Sequence, residues 1–396
     1  MKKTAIMLAL AVTGFALGST SCLSDGEDTI IVENGNPTDI PSDSQADPNP
    51  SVTTNNATIP NIQYATVDED GVSVLRIDMT GIQDQSTLEW LRLLGTGEKG
   101  QNVWVEVDGK PKGVKVYNTA DDENATSVPV DLVFLVDNSG SMSDEANAIA
   151  RDITSWAQKL EASGLDIHFG CVGYGGNVGA NNYSYLEAAY GVTGALNLTS
   201  YDVISEYLNE RGETGTSRTK GFYGHDGTKL AQIASNSEYS KAGGECGVQA
   251  LRFADENFTF TDNSNRIYIN FTDDANYHGG SEALSTDYIE DDWNSLQGTI
   301  HTVFSGSRAS AESQSHGDAP WLMSEYTGGT VINTNSSFTG VTLESLPVSD
   351  AMMNSYIIRF TNIEEFMDGQ PHEVRITVYN GSVQAERVFY VVFGER

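Results

Sequence analysis

The chain of 396 residues is longer than one ordinary domain and carries 22 Lys and Arg against 55 Asp and Glu, a formal net charge of −33. So negative a balance repels nucleic acid and anionic membrane surfaces, and it favours solubility.

At the N-terminus, Met1-Lys2-Lys3 precedes a short apolar run from Ile6 to Leu17. That is the pattern of a secretory signal (residues 1–21), too short to span a membrane. Ser19-Thr-Ser-Cys22 ends it with small residues before a cysteine and resembles a bacterial lipobox, lacking the usual leucine at Ser19. The resemblance implies cleavage before Cys22 and its acylation, and more than one acyl chain anchors stably. An unlipidated, secreted protein is the alternative. Residues 23–60 hold seven acids, no Lys or Arg and five of the ten prolines, so residues 22–60 are expected to be a disordered acidic tether. Within it, Ser24-Asp-Gly-Glu-Asp28 resembles the acidic export signal of Bacteroides-like surface lipoproteins, plain linker acidity being the other reading.

From residue 61 to 125 the pattern is β. Val72-Ser-Val-Leu-Arg-Ile-Asp78 partly alternates, and Val103-Trp-Val-Glu-Val107 is joined through an Asp108-Gly109 turn to Gly113-Val-Lys-Val-Tyr117. A helical interlude is expected near Leu88 to Leu94, and Asp121 to Thr126 reads as a linker.

Leu132 to Val136 is a continuous apolar run, the pattern of a strand buried on both faces, and it stops at Asp137-Asn-Ser139-Gly-Ser141. Ser143-Asp144-Glu145 then opens a helix with apolar residues at Ile149, Ile153, Trp156 and Leu160. The spacing D-x-S-x-S presents one carboxylate and two hydroxyls at a strand-to-helix turn, a donor set for a hard divalent cation and not for zinc. The same residues without an ion would form an Asx-type turn with serines capping the helix.

A second run, Arg266-Ile-Tyr-Ile-Asn-Phe-Thr272-Asp273-Asp274, also ends in carboxylates, and in a third loop Gly243-Gly-Glu245-Cys-Gly opens a helical pattern. Together these segments resemble the von Willebrand factor A family and its metal-ion-dependent adhesion site, over about residues 129–340. The resemblance implies Asp137, Ser139, Ser141, Glu245 and Asp273 as metal ligands, with Mg²⁺, Mn²⁺ or Ca²⁺ as the ion. Glu245 stands where most members have threonine and integrin β subunits have glutamate. Asp144 and Glu145 match acids that help hold an adjacent calcium in integrin β subunits; as sequence alone they are first-turn acids favoured by the helix dipole.

The remaining α/β signals are a strand at Ile167 to Tyr174, an antiparallel edge strand within Tyr190 to Leu198, and helices at Tyr201 to Leu208, Lys229 to Ser235 and Asp287 to Leu296. A strand at Thr299 to Phe304, a last helix at Pro320 to Tyr326 and a final strand at Thr327 to Ile332 follow. They predict a doubly wound, Rossmann-like sheet with the site at its carboxyl edge. The Gly- and Thr-rich stretch Arg211 to Gly227 is a candidate specificity loop.

Residues 350–396 return to β alternation, at Ser355 to Phe360, His372 to Tyr379 and Arg387 to Phe393, with turns at Asp368-Gly369 and Asn380-Gly381. Three strands make a poor core by themselves. The expected architecture is therefore an α/β domain inserted into, or flanked by, an all-β sandwich built from both ends of the chain, with two separate β modules as the alternative. Cys171 and Cys246 could pair in an exported protein, although Cys171 sits on an interior strand. No zinc-type histidine spacing, nucleophile elbow or phosphate loop is present. The functional expectation is a non-enzymatic, lipid-anchored outer-membrane protein exposed at the cell surface, which adheres through its metal to an acidic group on a protein partner. An envelope scaffold using the same site and a metal-assisted hydrolase are the alternatives.

Overall fold

The computed structural model describes residues 38–58, 60–118, 129–143, 145–163, 165–177, 190–209, 222–240, 242–294, 296–336, 338, 341–346 and 348–394. The expected signal, Cys22 and the first part of the tether lie outside them. In chain order, the first β segment supplies β1 (Ile62–Glu69), β2 (Val72–Met79), β3 (Val103–Val107), β4 (Lys110–Lys112) and β5 (Lys115–Asn118). The α/β part follows as β6 (Val130–Asp137), α1 (Ala146–Ala162), β7 (Ile167–Tyr174), β8 (Gly194–Thr199), α2 (Tyr201–Asn209), β9 (Gly224–His225), α3 (Gly227–Ala234) and α4 (Gly247–Asn257). It continues through β10 (Asn265–Thr272), α5 (Asp287–Asp291), β11 (Thr299–Phe304), α6 (Arg308–Glu312), α7 (Leu322–Thr327), β12 (Val331–Asn333) and α8 (Val348–Met353). The chain closes with β13 (Tyr356–Phe360), β14 (His372–Asn380) and β15 (Val383–Val391).

The α/β sheet has seven strands in the order β9-β8-β7-β6-β10-β11-β12. Strands β7, β6, β10, β11 and β12 are mutually parallel, while β8 runs antiparallel to β7. Every residue of β6 is buried because helices cover both faces of the sheet. Leu132, Phe134 and Val136 face α1, α2 and α8, and Val133 and Leu135 face α3, α4, α5 and α7. In α1, the side chains at Ile149, Ile153, Trp156 and Leu160 form the inward stripe that the sequence spacing sets. Burying each contributes about 1.5–3 kcal/mol.

Two four-stranded sheets, β1-β2-β13-β5 and β15-β14-β3-β4, share one apolar core drawn from both ends of the chain, including Ile62, Ile77, Val105, Ile358, Val374 and Ile376. The Asp108-Gly109 turn forms, both residues at positive φ, but its return strand is the short β4. At Gly113-Val114 the chain then crosses to the other sheet, where β5 pairs with β13. The helix expected near Leu88 is absent: the segment is extended, Gln83 bridging to Trp90, and Leu88 turns at positive φ.

Other expectations also shift. Helix α8 lies in the stretch assigned to the C-terminal β segment, yet Val348 and Met352 pack into the α/β core with Phe338 and Leu343. The α/β part therefore reaches past residue 340. The tether ends early as well. Ile40 and Ala57 are buried, Asn56 N–H donates to the Gln384 carbonyl at 3.0 Å, and the Asn49 amide donates to Thr377 Oγ1 at 2.9 Å. This strap crosses Gly113, where a Cβ would come within 2.3 Å of the Pro41 carbonyl oxygen, so glycine is what lets it lie flat. Cys171 and Cys246 are both buried free thiols.

The strap is pinned by Asp43 Oδ2, which pairs at 2.6 Å with the buried Lys112 ammonium. Breaking a wholly buried pair costs about 3–5 kcal/mol. The Asp43 side chain is 31% exposed, so Asp43→Ala is expected to lower unfolding free energy by about 2 kcal/mol in urea denaturation. An unchanged midpoint would mean that the strap does not hold the sandwich.

Candidate functional site

Strands β6 and β10 are neighbours in the sheet, so their carboxyl ends bring Asp137 and Asp273 together. The first turn is locked by its own side chains. Asp137 Oδ1 accepts the Ser139 N–H at 2.7 Å, and Oδ2 accepts the Thr272 hydroxyl at 2.9 Å. The Asn138 amide donates to Thr193 Oγ1 at 2.9 Å and to the Phe222 carbonyl at 2.6 Å, which ties the turn to the β8 side of the sheet. Ser139 Oγ and Ser141 Oγ share a hydrogen bond of 2.9 Å. The Ser141 hydroxyl also donates to Asp273 Oδ1 at 3.0 Å.

Glu245 arrives from the loop before α4. Its position is fixed by the Tyr277 N–H, which donates to the Glu245 carbonyl at 2.7 Å. Gly175, at φ +74°, separates it from Asp137: a Cβ there would meet Asp137 Oδ1 at 2.8 Å and Glu245 Cγ at 2.9 Å. The five residues singled out in the sequence thus converge at one edge. Thr272 and Asn138 belong to the same network and were overlooked as site residues, although each adjoins a named acid. Glu145 goes elsewhere. It turns inward and its Oε1 accepts the Ser305 hydroxyl at 2.9 Å, and Asp144 lies outside the described residues.

Burial, then the Glu245 and Asp273 carboxylates, push the Asp137 carboxyl well above its ordinary value. Burial, then Asp274 and Asp273, push Glu245 up to about 7. Among the described residues no lysine or arginine bonds to either side chain. Burial raises the neighbouring Tyr174 hydroxyl, and it donates to Asn270 Oδ1 at 2.7 Å. Among the described residues the cluster is thus all oxygen, buried at Asp137 and Ser139, and holds three acids close together, the condition a hard cation relieves. Among the described residues no three His, Cys, Asp or Glu side chains converge closely enough to hold an ion by themselves, so the serine hydroxyls would have to complete the donor set.

No family model matches the chain, and no curated protein does. Among solved structures it is similar to the pilus adhesin SpaC from Lactobacillus rhamnosus GG, in its open conformation, at 9% identity and a TM-score of 0.31. The match covers 83% of this chain and 46% of that one, so the chain spans about half the adhesin's length. A likeness at that score carries no argument about fold or function.

The raised acids set a pH dependence. Glu245 has an ordinary value of 4.5 and a folded value of about 7, so the fold favours its protonated form. That contribution is complete below 4.5 and is lost as pH rises through 7. In chelator, the melting temperature of the wild type should fall between these limits, and Glu245→Gln, neutral throughout, should fall less. Equal slopes in parallel thermal melts would remove Glu245 from the cluster.

Proposed function

We propose that the chain is a von Willebrand factor A-type protein whose α/β part holds a divalent cation at the Asp137 cluster and thereby grips an acidic group on a protein partner. The observation that carries this reading is the meeting of Asp137, Ser139, Ser141, Glu245 and Asp273 at the carboxyl edge of one sheet, with the Ser139–Ser141–Asp273 oxygens joined in sequence. The strand order, reversing between β7-β6 and β6-β10, puts this edge at a topological switch point, where α/β sheets bind ligands. Mg²⁺ is the first choice for so compact a hydroxyl and carboxylate set, with Mn²⁺ or Ca²⁺ as alternatives.

Asp137, Ser139 and Ser141 would hold the ion, with Glu245 and Asp273 close by, directly or through water. When bound, it would supply positive charge and an open position for a partner's carboxylate. The chain's own residues do the rest: Thr272 and the Ser139 N–H orient Asp137, and Gly175 leaves room for Glu245 to approach it. The protein is proposed as a binding protein and not an enzyme. It would act from the outer membrane surface, anchored through a lipidated Cys22. Among the described residues no helix is long and apolar enough to cross a membrane.

Calorimetric titration of Mg²⁺ into chelator-stripped protein should show saturable binding at millimolar affinity or tighter. Asp137→Ala should abolish it, and Ser141→Ala should weaken it about tenfold. Heat that is absent, or unchanged in Asp137→Ala, would defeat the reading. Separately, Cys22→Ser should release the protein from the membrane fraction and remove the acyl mass from its N-terminus. A variant that stays with the membrane would defeat the anchor.

A further inference from the structure

Strand β15 turns Val383, Ala385, Arg387, Phe389 and Val391 toward the sandwich interior, Val383, Phe389 and Val391 being buried in the core. Arg387 is the exception in that row. It lies opposite Ile376 of β14, and its Nε has neither solvent nor a hydrogen-bond partner. Among the described residues no side chain hydrogen-bonds or ion-pairs with the guanidinium. Shortage of acids is not the reason, since 55 Asp and Glu outnumber 22 Lys and Arg. Two other arginines of the sandwich are matched by acids: Arg375 sits between Glu373 and Glu386, and Arg359 between Glu69 and Asp39. Glu386, next in sequence, is already paired with Arg375 at 2.6 Å.

Beside Arg387 is a cavity of about 320 Å³ with an apolar wall that includes Pro60, Met79, Ile82, Ile376 and Val378. Asn55, Thr58, Gln85 and Glu386 add polar groups to its lining, the Glu386 carboxylate being neutralised by Arg375. Arg387 is half-buried, and a partly desolvated guanidinium without an anion is costly, while its planar fork fits a carboxylate in two parallel hydrogen bonds. Burial pushes the group below the ordinary arginine value without a compensating anion.

We infer that this cavity is a second binding site, taking a small carboxylate with an aliphatic body: the carboxylate on Arg387, the body against Met79, Ile82 and Val378. Such a carboxylate is either a free acid or the C-terminus of a short aliphatic peptide. The site needs no metal, so it stands or falls independently of the Asp137 cluster.

The test is calorimetric titration of the purified full chain in chelator with octanoate, with octanol, and with a tripeptide ending in leucine as free acid and as amide. Octanoate or the free-acid peptide should bind, and whichever does names the source, while octanol and the amide should bind at least tenfold more weakly. Arg387→Met should lose at least tenfold in affinity for the carboxylate and keep or gain thermal stability without ligand, because a partly desolvated charge without a counter-ion has been removed. Ala385→Phe, which keeps the guanidinium but fills space beside it, should also weaken binding. No binding of either acid at millimolar concentration, binding unchanged in Arg387→Met, or a marked loss of stability in that variant overturns the inference.

Discussion

Three carboxylates crowded at the end of two parallel strands are the constraint around which the α/β part is arranged. Asp137 is buried, and among the described residues Glu245 and Asp273, both acids, push its carboxyl further above its ordinary value. Such a cluster opposes folding unless it is protonated, bonded or neutralised. The structure answers with donors, the Ser139 N–H and the Thr272 and Ser141 hydroxyls, and with the two apolar layers around β6. Those layers are large enough to hold the strand ends in place against the repulsion. The site is a local cost carried by a well-packed sheet.

The sandwich solves a different problem. Its strands come from segments separated by more than two hundred residues, and neither segment has a core without the other. β13 lies between β2 and β5, and β14 between β15 and β3, so both sheets close only when the last strands arrive. The strap from Thr38 to Thr58 then covers part of the β15 edge, satisfying backbone groups that an open edge would expose.

Much of this was legible in the sequence where information is local or periodic. The apolar run of β6, the stripe of α1 and the oxygen-bearing turn after Val136 could be read because each depends on neighbours a few residues away. The convergence of Asp273 and Glu245 with Asp137 was legible through resemblance, since spacing alone does not say which loops meet. The strap was not, because it is held by single contacts such as Asp43–Lys112 and Asn49–Thr377, which leave no repeating pattern. The crossing at Gly113-Val114 looked like one continuous strand because apolar alternation persists across it. Helix α8 escaped because a six-residue segment is too short for helical periodicity to show. The inward turn of Glu145 depends on Ser305, a partner 160 residues distant.

The α/β part leaves the sandwich after β5 and returns to it at β13, and these two strands are antiparallel neighbours with Asn118 opposite Tyr356. The departure and return points are therefore side by side. A mechanical pull on the Asp137 edge would load both strands at the same end, so their ladder would open one hydrogen bond at a time, like a zipper, instead of resisting in shear. The first rungs to bear the load would be those beside Tyr356, whose hydroxyl donates to the Leu91 carbonyl at 2.6 Å and so staples the vulnerable end to a third segment.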